Sequence, residues 1–310
     1  MQIGMIGLGR MGANMAERLR RGGHEVIGYD PFSDATDVET LDGLVDALTP
    51  PRVVWVMVPA GDPTDETIVQ LTSVLASGDL VVDGGNTRWT ESLGHGGALA
   101  TEGIGFVDAG VSGGVWGLDN GYALMVGGAD DAIARLWPVL QTLAPDDPDG
   151  KGLAHVGPVG SGHFTKMVHN GIEYAVMQAF AEGYELMART DLDIDLPATM
   201  RSWQEGSVIR SWLLDLFVRA LDDHPGFEDL DDVAADSGEG RWTVEAAIDS
   251  GVPVPAIAAA LFARFESQHE QSLAMKAVAA LREQFGGHAV VAADGDPTKK
   301  TIHRDGADRA

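Results

Sequence analysis

Ile3-Gly4-Met5-Ile6-Gly7-Leu8-Gly9-Arg10-Met11-Gly12 decides how the first half of the chain is built. Ile3 to Ile6 reads as a short buried strand, and the period of the residues from about Met11 to Arg21 reads as an amphipathic helix. Between them stands G-x-G-x-x-G, in the context that gives the pattern physical meaning. Gly7 permits the tight turn, Gly9 lets backbone approach a pyrophosphate, and Gly12 allows close helix packing. The helix N-terminus then offers its free N–H groups to the phosphates. A second strand, Glu25 to Tyr29, ends in Asp30, at about the 20-residue offset expected of an acid that grips a ribose diol. The expectation is a dinucleotide site formed by Gly7, Leu8, Gly9, Met11, Gly12 and Asp30. A carboxylate at position 30 accepts both ribose hydroxyls and repels a 2′-phosphate, so NAD is expected ahead of NADP. The plainer reading of Asp30 is a cap on the Pro31 turn.

Strand and helix continue to alternate: strand Val53 to Val58, helix near Asp65 to Leu75, strand Leu80 to Asp83, helix near Thr90 to Thr101, then strands Gly105 to Asp108 and Ala123 to Val126. This pattern predicts an α/β, doubly wound, Rossmann-like sheet over residues 1–159. Ligands bind such sheets beyond the carboxyl ends of the strands, which singles out three loops: Val58-Pro59-Ala60-Gly61, Asp83-Gly84-Gly85-Asn86-Thr87 and Val111-Ser112-Gly113-Gly114. Val58, Pro59, Ala60 and Asn86 thereby join the expected cofactor contacts. Each loop also has an ordinary reading as a glycine-rich turn.

From Gly160 the periodicity changes to long helical stretches: Gly160 to Arg189, Ser211 to Leu221, Val244 to Ser250 and Pro255 to Phe285. An all-α domain is expected over residues 160–290, with an acidic surface connection over 222–236 and a polar tail over 291–310. The first of these helices carries Lys166, His169, Asn170 and Glu173 within an arc of roughly 100°. Its other faces are apolar (Met167, Val168, Ile172, Ala175, Val176), so the polar stripe is expected to face a partly buried cleft. A base, an amide and an acid at i, i+4 and i+7 make this face the candidate catalytic one. The alternative is a solvated Lys and Glu.

The 310 residues and 45% apolar content suffice for real cores. A net charge of −26, from 47 acidic and 21 basic residues, argues against nucleic acid or an anionic membrane as partner. Any anionic substrate must be met by a few local cations. Acids are spread through the chain and lysine is sparser than arginine, which fits a salt-rich cytoplasm where screening relieves self-repulsion. Cysteine is absent, which excludes disulfides, thiolate nucleophiles and cysteine metal sites and fits a reducing cytoplasm. The start of the chain lacks a basic leader region, and the longest apolar stretch, Val252 to Ala263, is too short to span a bilayer.

Four strings then carry a family resemblance: Gly7-Leu-Gly-Arg-Met-Gly-Ala-Asn14, Asp83-Gly-Gly-Asn-Thr87, Val111-Ser-Gly-Gly-Val-Trp-Gly117 with Gly121-Tyr-Ala-Leu-Met-Val-Gly-Gly128, and His163-Phe-Thr-Lys-Met-Val-His-Asn-Gly-Ile-Glu-Tyr174. Over roughly residues 1 to 290 the chain resembles the short-form 6-phosphogluconate dehydrogenases of the β-hydroxyacid dehydrogenase superfamily. The resemblance implies oxidative decarboxylation of 6-phosphogluconate to ribulose 5-phosphate with reduction of NAD or NADP, without a metal. It makes Lys166 the general base at the 3-hydroxyl and Glu173 the acid that protonates carbon 1. Lys166 must then be substantially neutral at working pH. Asn170, His169, Ser112 and Asn86 would hold the sugar acid, with backbone donors from Gly113 and Gly114. Tyr174, Arg264, Arg282 and His288 would hold the phosphate, the last two supplied by the partner subunit of a homodimer or homotetramer.

The chain departs from the long form where Ser237 and Glu239 stand in place of a lysine and a threonine on the phosphate. A glutamate there repels phosphate unless it pairs with Arg241 or another cation, which bears on the identity of the acid substrate. The chain is also shorter than the long form, which has an additional helical repeat. The nearest rival is a non-decarboxylating relative such as a 3-hydroxyisobutyrate dehydrogenase, which needs only Lys166 and Asn170; Glu173, Arg264 and Arg282 disfavour it. A silent nicotinamide-binding protein would have no use for the Lys-Asn-Glu face.

Overall fold

A computed structural model describes residues 1–286. They form two compact units, one of Met1–Leu230 with Asp236–Leu261 and the other of Asp231–Ala235 with the segment from Phe262 onward. In the first unit, seven strands alternate with helices: β1 (Gln2–Ile6), α1 (Arg10–Arg21), β2 (Glu25–Tyr29), α2 (Leu41–Ala47), β3 (Val53–Val56), α3 (Asp62–Val74), β4 (Leu80–Asp83), α4 (Trp89–Thr101), β5 (Gly105–Ser112), α5 (Gly117–Asn120), β6 (Ala123–Gly128), α6 (Asp130–Leu143) and β7 (Leu153–Gly157). Helices follow: α7 (Ser161–Ala188), α8 (Leu196–Trp203), α9 (Trp212–Asp223) and α10 (Glu239–Ser250), then α11 (Pro255–Ser267) and α12 (Leu273–Gly286).

The strands form one sheet in the order β2-β1-β3-β4-β5-β6-β7. Every neighbouring pair is parallel except β5 with β6. Strands buried on both faces must be apolar throughout, as the wholly buried Val53-Val-Trp-Val56 is. Alternation along β3 divides the core: Val53 and Trp55 join Ile3, Met5, Met15 and Leu19 on one side, whereas Val54 and Val56 join Leu44, Ile68, Leu71 and Leu99 on the other. β1 lies between β2 and β3, so the chain leaves it in opposite directions across the sheet. That reversal opens a crevice at the carboxyl ends of the central strands.

α7, 28 residues and about 42 Å long, ties the sheet to the helices. Its first turns lie on β5 and β6: a Cβ on Gly162 would overlap the carbonyl oxygens of Asp108 and Met125, so only glycine allows this approach. Asp108, fully buried on β5, accepts the N–H groups of Gly160 (2.6 Å) and His163 (2.8 Å) and so caps the helix from outside. Farther along, Phe180, Tyr184 and Met187 of α7 pack with Met200, Leu214, Val218 and Leu221 of α8 and α9 in a separate small core.

Several boundaries differ from the sequence reading. β3 stops at Val56, which frees Met57 and Val58 to line the crevice. β5 runs four residues past Asp108, so Val111 and Ser112 end a strand and only Gly113, at φ +128°, begins the turn. The single period expected from Pro255 to Phe285 is two helices, broken at the polar Gln268-His-Glu-Gln-Ser272. α10 begins five residues before the expected Val244, at Glu239. Among the described residues, no helix is long and apolar enough to cross a membrane.

Candidate active site

The glycine turn is built as its spacing requires. Gly7 has φ +89°, and a Cβ there would meet the backbone of Met57. A Cβ on Gly12 would overlap the carbonyl oxygen of Gly7. Gly9 differs: none of the described residues lies within 4 Å of where its Cβ would stand, so the missing side chain leaves a cradle above the start of α1, a fit for a pyrophosphate. Asp30, after β2, accepts the Leu8 N–H on Oδ2 (2.8 Å) and the Phe32 N–H on Oδ1 (2.9 Å). The geometry bears out the turn-cap reading of this acid. It braces the turn and caps the Pro31 bend, and each carboxylate oxygen keeps a lone pair for a ribose hydroxyl.

A cleft of about 790 Å³ runs from this turn to the sheet centre, lined by Gly7, Gly9, Met11, Gly12, Asp30, Val58, Pro59, Asn86, Val111 and Lys166. Cofactor-turn residues and the candidate base thus share one cavity. Leu8, expected among the cofactor contacts, is not one of the lining residues; its side chain is part of the core. Ala60 is exposed beside the loop and is not among the lining residues. α3 adds Pro63, Glu66, Thr67 and Gln70 to the wall, residues that the strand-end rule does not find.

Lys166 is 9% exposed. Its Nζ donates to Asn86 Oδ1 at 2.5 Å and stands 3.3 Å from Glu239 Oε1. Asn86 is held by the buried Asp83, which accepts the Gly85 N–H (3.0 Å) and the Thr87 hydroxyl (2.7 Å) and so fixes the loop after β4. His163, one turn before Lys166, is 2% exposed and pairs with Ser92 of α4 through Nδ1 at 2.7 Å. Burial is the main influence that lowers its proton affinity below the ordinary histidine value. Burial likewise raises Asp108, against the opposing influence of His163 and the N–H donors.

The remainder of the stripe lies beyond Lys166. His169 Nδ1 is 3.0 Å from Asn170 Oδ1, and Asn170 and Glu173 are both partly exposed. The buried Tyr174 accepts the Ser237 N–H at 3.0 Å, which brings the departing 236–242 stretch to the same helix. There α10 crosses α7 closely: Thr243 donates to the Met167 carbonyl at 2.8 Å, and a Cβ on Gly240 would meet the Tyr174 ring at 2.5 Å. The crossing sets the 2%-exposed Glu239 on Lys166, while Arg241 pairs with Asp236 at 3.0 Å. The cation that meets this glutamate is Lys166. Burial raises the Glu239 pKa above the carboxylate range, opposed mainly by the neighbouring Lys166 charge. Sequence spacing gave no sign of this contact, since 73 residues separate the two.

Ser112 ends β5, with Gly113 and Gly114 following it, the latter exposed. In the second unit, Arg264 donates to the Ala235 carbonyl at 3.1 Å and Arg282 is exposed on α12. His288 lies outside the described residues.

Residues 2–157 match the family described as the NAD binding domain of 6-phosphogluconate dehydrogenase, and residues 162–305 match its C-terminal domain. The chain is 41% identical over 304 residues to an NAD(+)-dependent, decarboxylating 6-phosphogluconate dehydrogenase of Haloferax volcanii, covering 95% of this chain and 100% of that one. Its structure is similar to that of Plasmodium falciparum 6-phosphogluconate dehydrogenase, with a TM-score of 0.77 and 26% identity over 96% of this chain and 67% of that one. Mycobacterium tuberculosis 3-hydroxyisobutyrate dehydrogenase shares the fold, with a TM-score of 0.68 and 24% identity over 86% of this chain and 94% of that one. On both halves and over nearly its whole length, this chain belongs to the 6-phosphogluconate dehydrogenase family.

Proposed function

We propose that this protein is an NAD(P)-dependent oxidoreductase that converts 6-phosphogluconate to ribulose 5-phosphate and CO2, with NAD as the preferred acceptor. The observation that carries the reading is the buried Lys166 amine on the wall of the glycine-turn cleft, hydrogen-bonded to Asn86. Bound NAD would supply the hydride acceptor, with Gly9 and the start of α1 holding the pyrophosphate and Asp30 the ribose. Lys166 takes the proton of the 3-hydroxyl as hydride leaves the same carbon. Asn86 fixes the amine so that its lone pair meets that hydroxyl.

Oxidation makes a β-keto acid, whose carboxylate leaves as CO2 because the ketone accepts the electron pair. Glu173, two turns along α7, then protonates carbon 1 of the enediol. Asn170, His169, Ser112 and the Gly113 and Gly114 backbone hold the sugar acid; Tyr174, Arg264, Arg282 and His288 hold its phosphate. We assign Arg282 and His288 to the neighbouring subunit's site in a homo-oligomer, and the enzyme to the cytoplasm. A spectrophotometric assay tests the reading, with 6-phosphogluconate and 3-hydroxyisobutyrate offered in parallel in molar salt. Turnover of the phosphorylated acid alone is expected. Turnover of 3-hydroxyisobutyrate alone would contradict it.

A further inference from the structure

Glu239 poses a chemical problem for the base it touches. A carboxylate 3.3 Å from Lys166 Nζ stabilises the ammonium, and an ammonium cannot accept a hydroxyl proton. Three observations bear on how the pair resolves this. Glu239 is 2% exposed, and its Oε2 is buried with no hydrogen-bond partner among the described residues. A carboxylate in that state leaves a desolvated charge on an unsatisfied oxygen, whereas a neutral carboxyl does not. Burial is the main influence raising its pKa, with Glu173 adding to it and Lys166 and His169 opposing.

The charged surroundings are otherwise nearly balanced. On its own segment, Asp236 pairs with Arg241 at 3.0 Å, and Glu245 pairs at 2.8 Å with Arg88 from the start of α4. From α7, Lys166, His169 and Glu173 act on it, and the Tyr174 phenol is engaged with Ser237. The start of α10 favours the carboxylate, so with water in the cleft the two groups rest as ions. Ligands that fill the cleft expel water. Two opposite charges then lose hydration, and the neutral pair gains on the ionic one.

We propose that Glu239 takes the ammonium proton of Lys166 when the cleft fills, and so readies the amine as a base. The inference rests on Lys166 being the base, as proposed above. One N–H bond of Nζ breaks and leaves its electron pair on nitrogen, while an O–H bond forms at Glu239 Oε1. Nothing is oxidised or reduced, and the net charge of the pair is zero before and after. Lys166 then receives the 3-hydroxyl proton beside a neutral carboxyl and returns it to the ketone oxygen as CO2 leaves, which gives the enediol. The enediol hydroxyl proton, released as carbon 1 is protonated, replaces the one Glu173 gave, and the neutral amine and carboxyl re-form the ion pair when product leaves and water re-enters. Glu239 touches no substrate atom in this scheme; it is a positioning residue for a proton.

The test is the pH profile of kcat/KM for 6-phosphogluconate in wild type, Glu239→Gln and Glu239→Asp. Glutamine keeps the shape but cannot take the proton, so the ammonium must lose it to solvent. Glu239→Gln should move the acid limb to higher pH by at least about one unit, with activity at pH 7 about tenfold lower and recovering as pH rises. Glu239→Asp should keep the wild-type limb at reduced kcat. An unmoved limb would overturn the proposal. So would a limb moved to lower pH in Glu239→Gln, the result expected if the carboxylate only holds the ammonium.

An infrared difference spectrum of the wild-type ternary complex reads the same proton without the glutamine variant. It should gain a carboxylic-acid C=O band that Glu239→Asp displaces, and absence of such a band would also overturn the proposal. A Lys166→Met control separates the two readings. If it keeps near-normal turnover, the role of Lys166 fails. If it is inactive while Glu239→Gln leaves the limb in place, only the role of Glu239 fails.

Discussion

The proposed function places a single residue on each half of the chemistry, Asp30 on the cofactor and Glu173 on the substrate. Asp30 binds the glycine turn through Leu8 and lines the cleft, where its carboxylate would repel a 2′-phosphate. Comparing kcat/KM for the two acceptors should show NAD ahead of NADP by at least about tenfold, and Asp30→Ser should narrow the gap chiefly by weakening NAD. A wild-type preference for NADP would reduce Asp30 to a turn cap. With Glu173 as the proposed acid of the step after oxidation, Glu173→Gln should lower overall kcat by about a hundredfold with little change in NAD affinity, measured by steady-state rates and fluorescence titration. The positions of Asp30 after β2 and of Glu173 on α7 beyond Lys166 were legible because they follow from offsets along one or two local elements. Glu239 was legible only as an oddity: nothing local says that a residue 73 positions away will be laid on Lys166.

At the scale of elements, the site depends on how closely α7 lies on the sheet. Gly162→Ala would force a methyl group into the Asp108 and Met125 carbonyls, and should cost about 1–3 kcal/mol or more, read as a lower urea midpoint. The Ser92 to His163 tie brings a pH dependence. Burial lowers the His163 pKa, so the unfolded chain takes up a proton near about pH 6.5 that the folded chain refuses. Stability is therefore full above that pH and is lost as pH falls through it, with His24, shifted the same way, adding to the slope. Asp108 and Glu239 have raised values and act with the opposite sign. The urea midpoint of wild type should fall between pH 7.5 and 5.5, and His163→Asn should flatten that fall; an unchanged slope would remove His163 from the account. Local signals predicted β1, α1, β2 and α7 well, because strand–turn–helix and long helical periods are written in adjacent residues. The break between α11 and α12 was visible as a polar run, but flanking apolar periodicity outweighed it. The early start of α10 depends on Gly238 and on tertiary packing, which periodicity does not report.

At the scale of the whole molecule, charge dominates. A net charge of −26 on 310 residues is strongly self-repelling in dilute buffer, and its repulsion is screened within about 3 Å at molar salt. Thermal unfolding should shift upward from dilute buffer to molar salt, and higher stability in dilute buffer would contradict this. The same chain must still hold a phosphorylated anion, which assigns importance to Arg264 and Arg282. If Arg282 serves a neighbouring subunit, a mixture of Arg282→Ala and Lys166→Met enzymes should regain activity that neither has alone, and no rescue would favour self-contained sites. The central claim is that one buried amine drives an oxidation coupled to loss of carbon 1. Its most direct measurement follows NADH and CO2 together from 6-phosphogluconate in wild type and Lys166→Met. The account predicts equal amounts of the two products from wild type and a loss of at least about a hundredfold in Lys166→Met with NAD binding intact. NADH without CO2, or near-normal turnover by Lys166→Met, would contradict it.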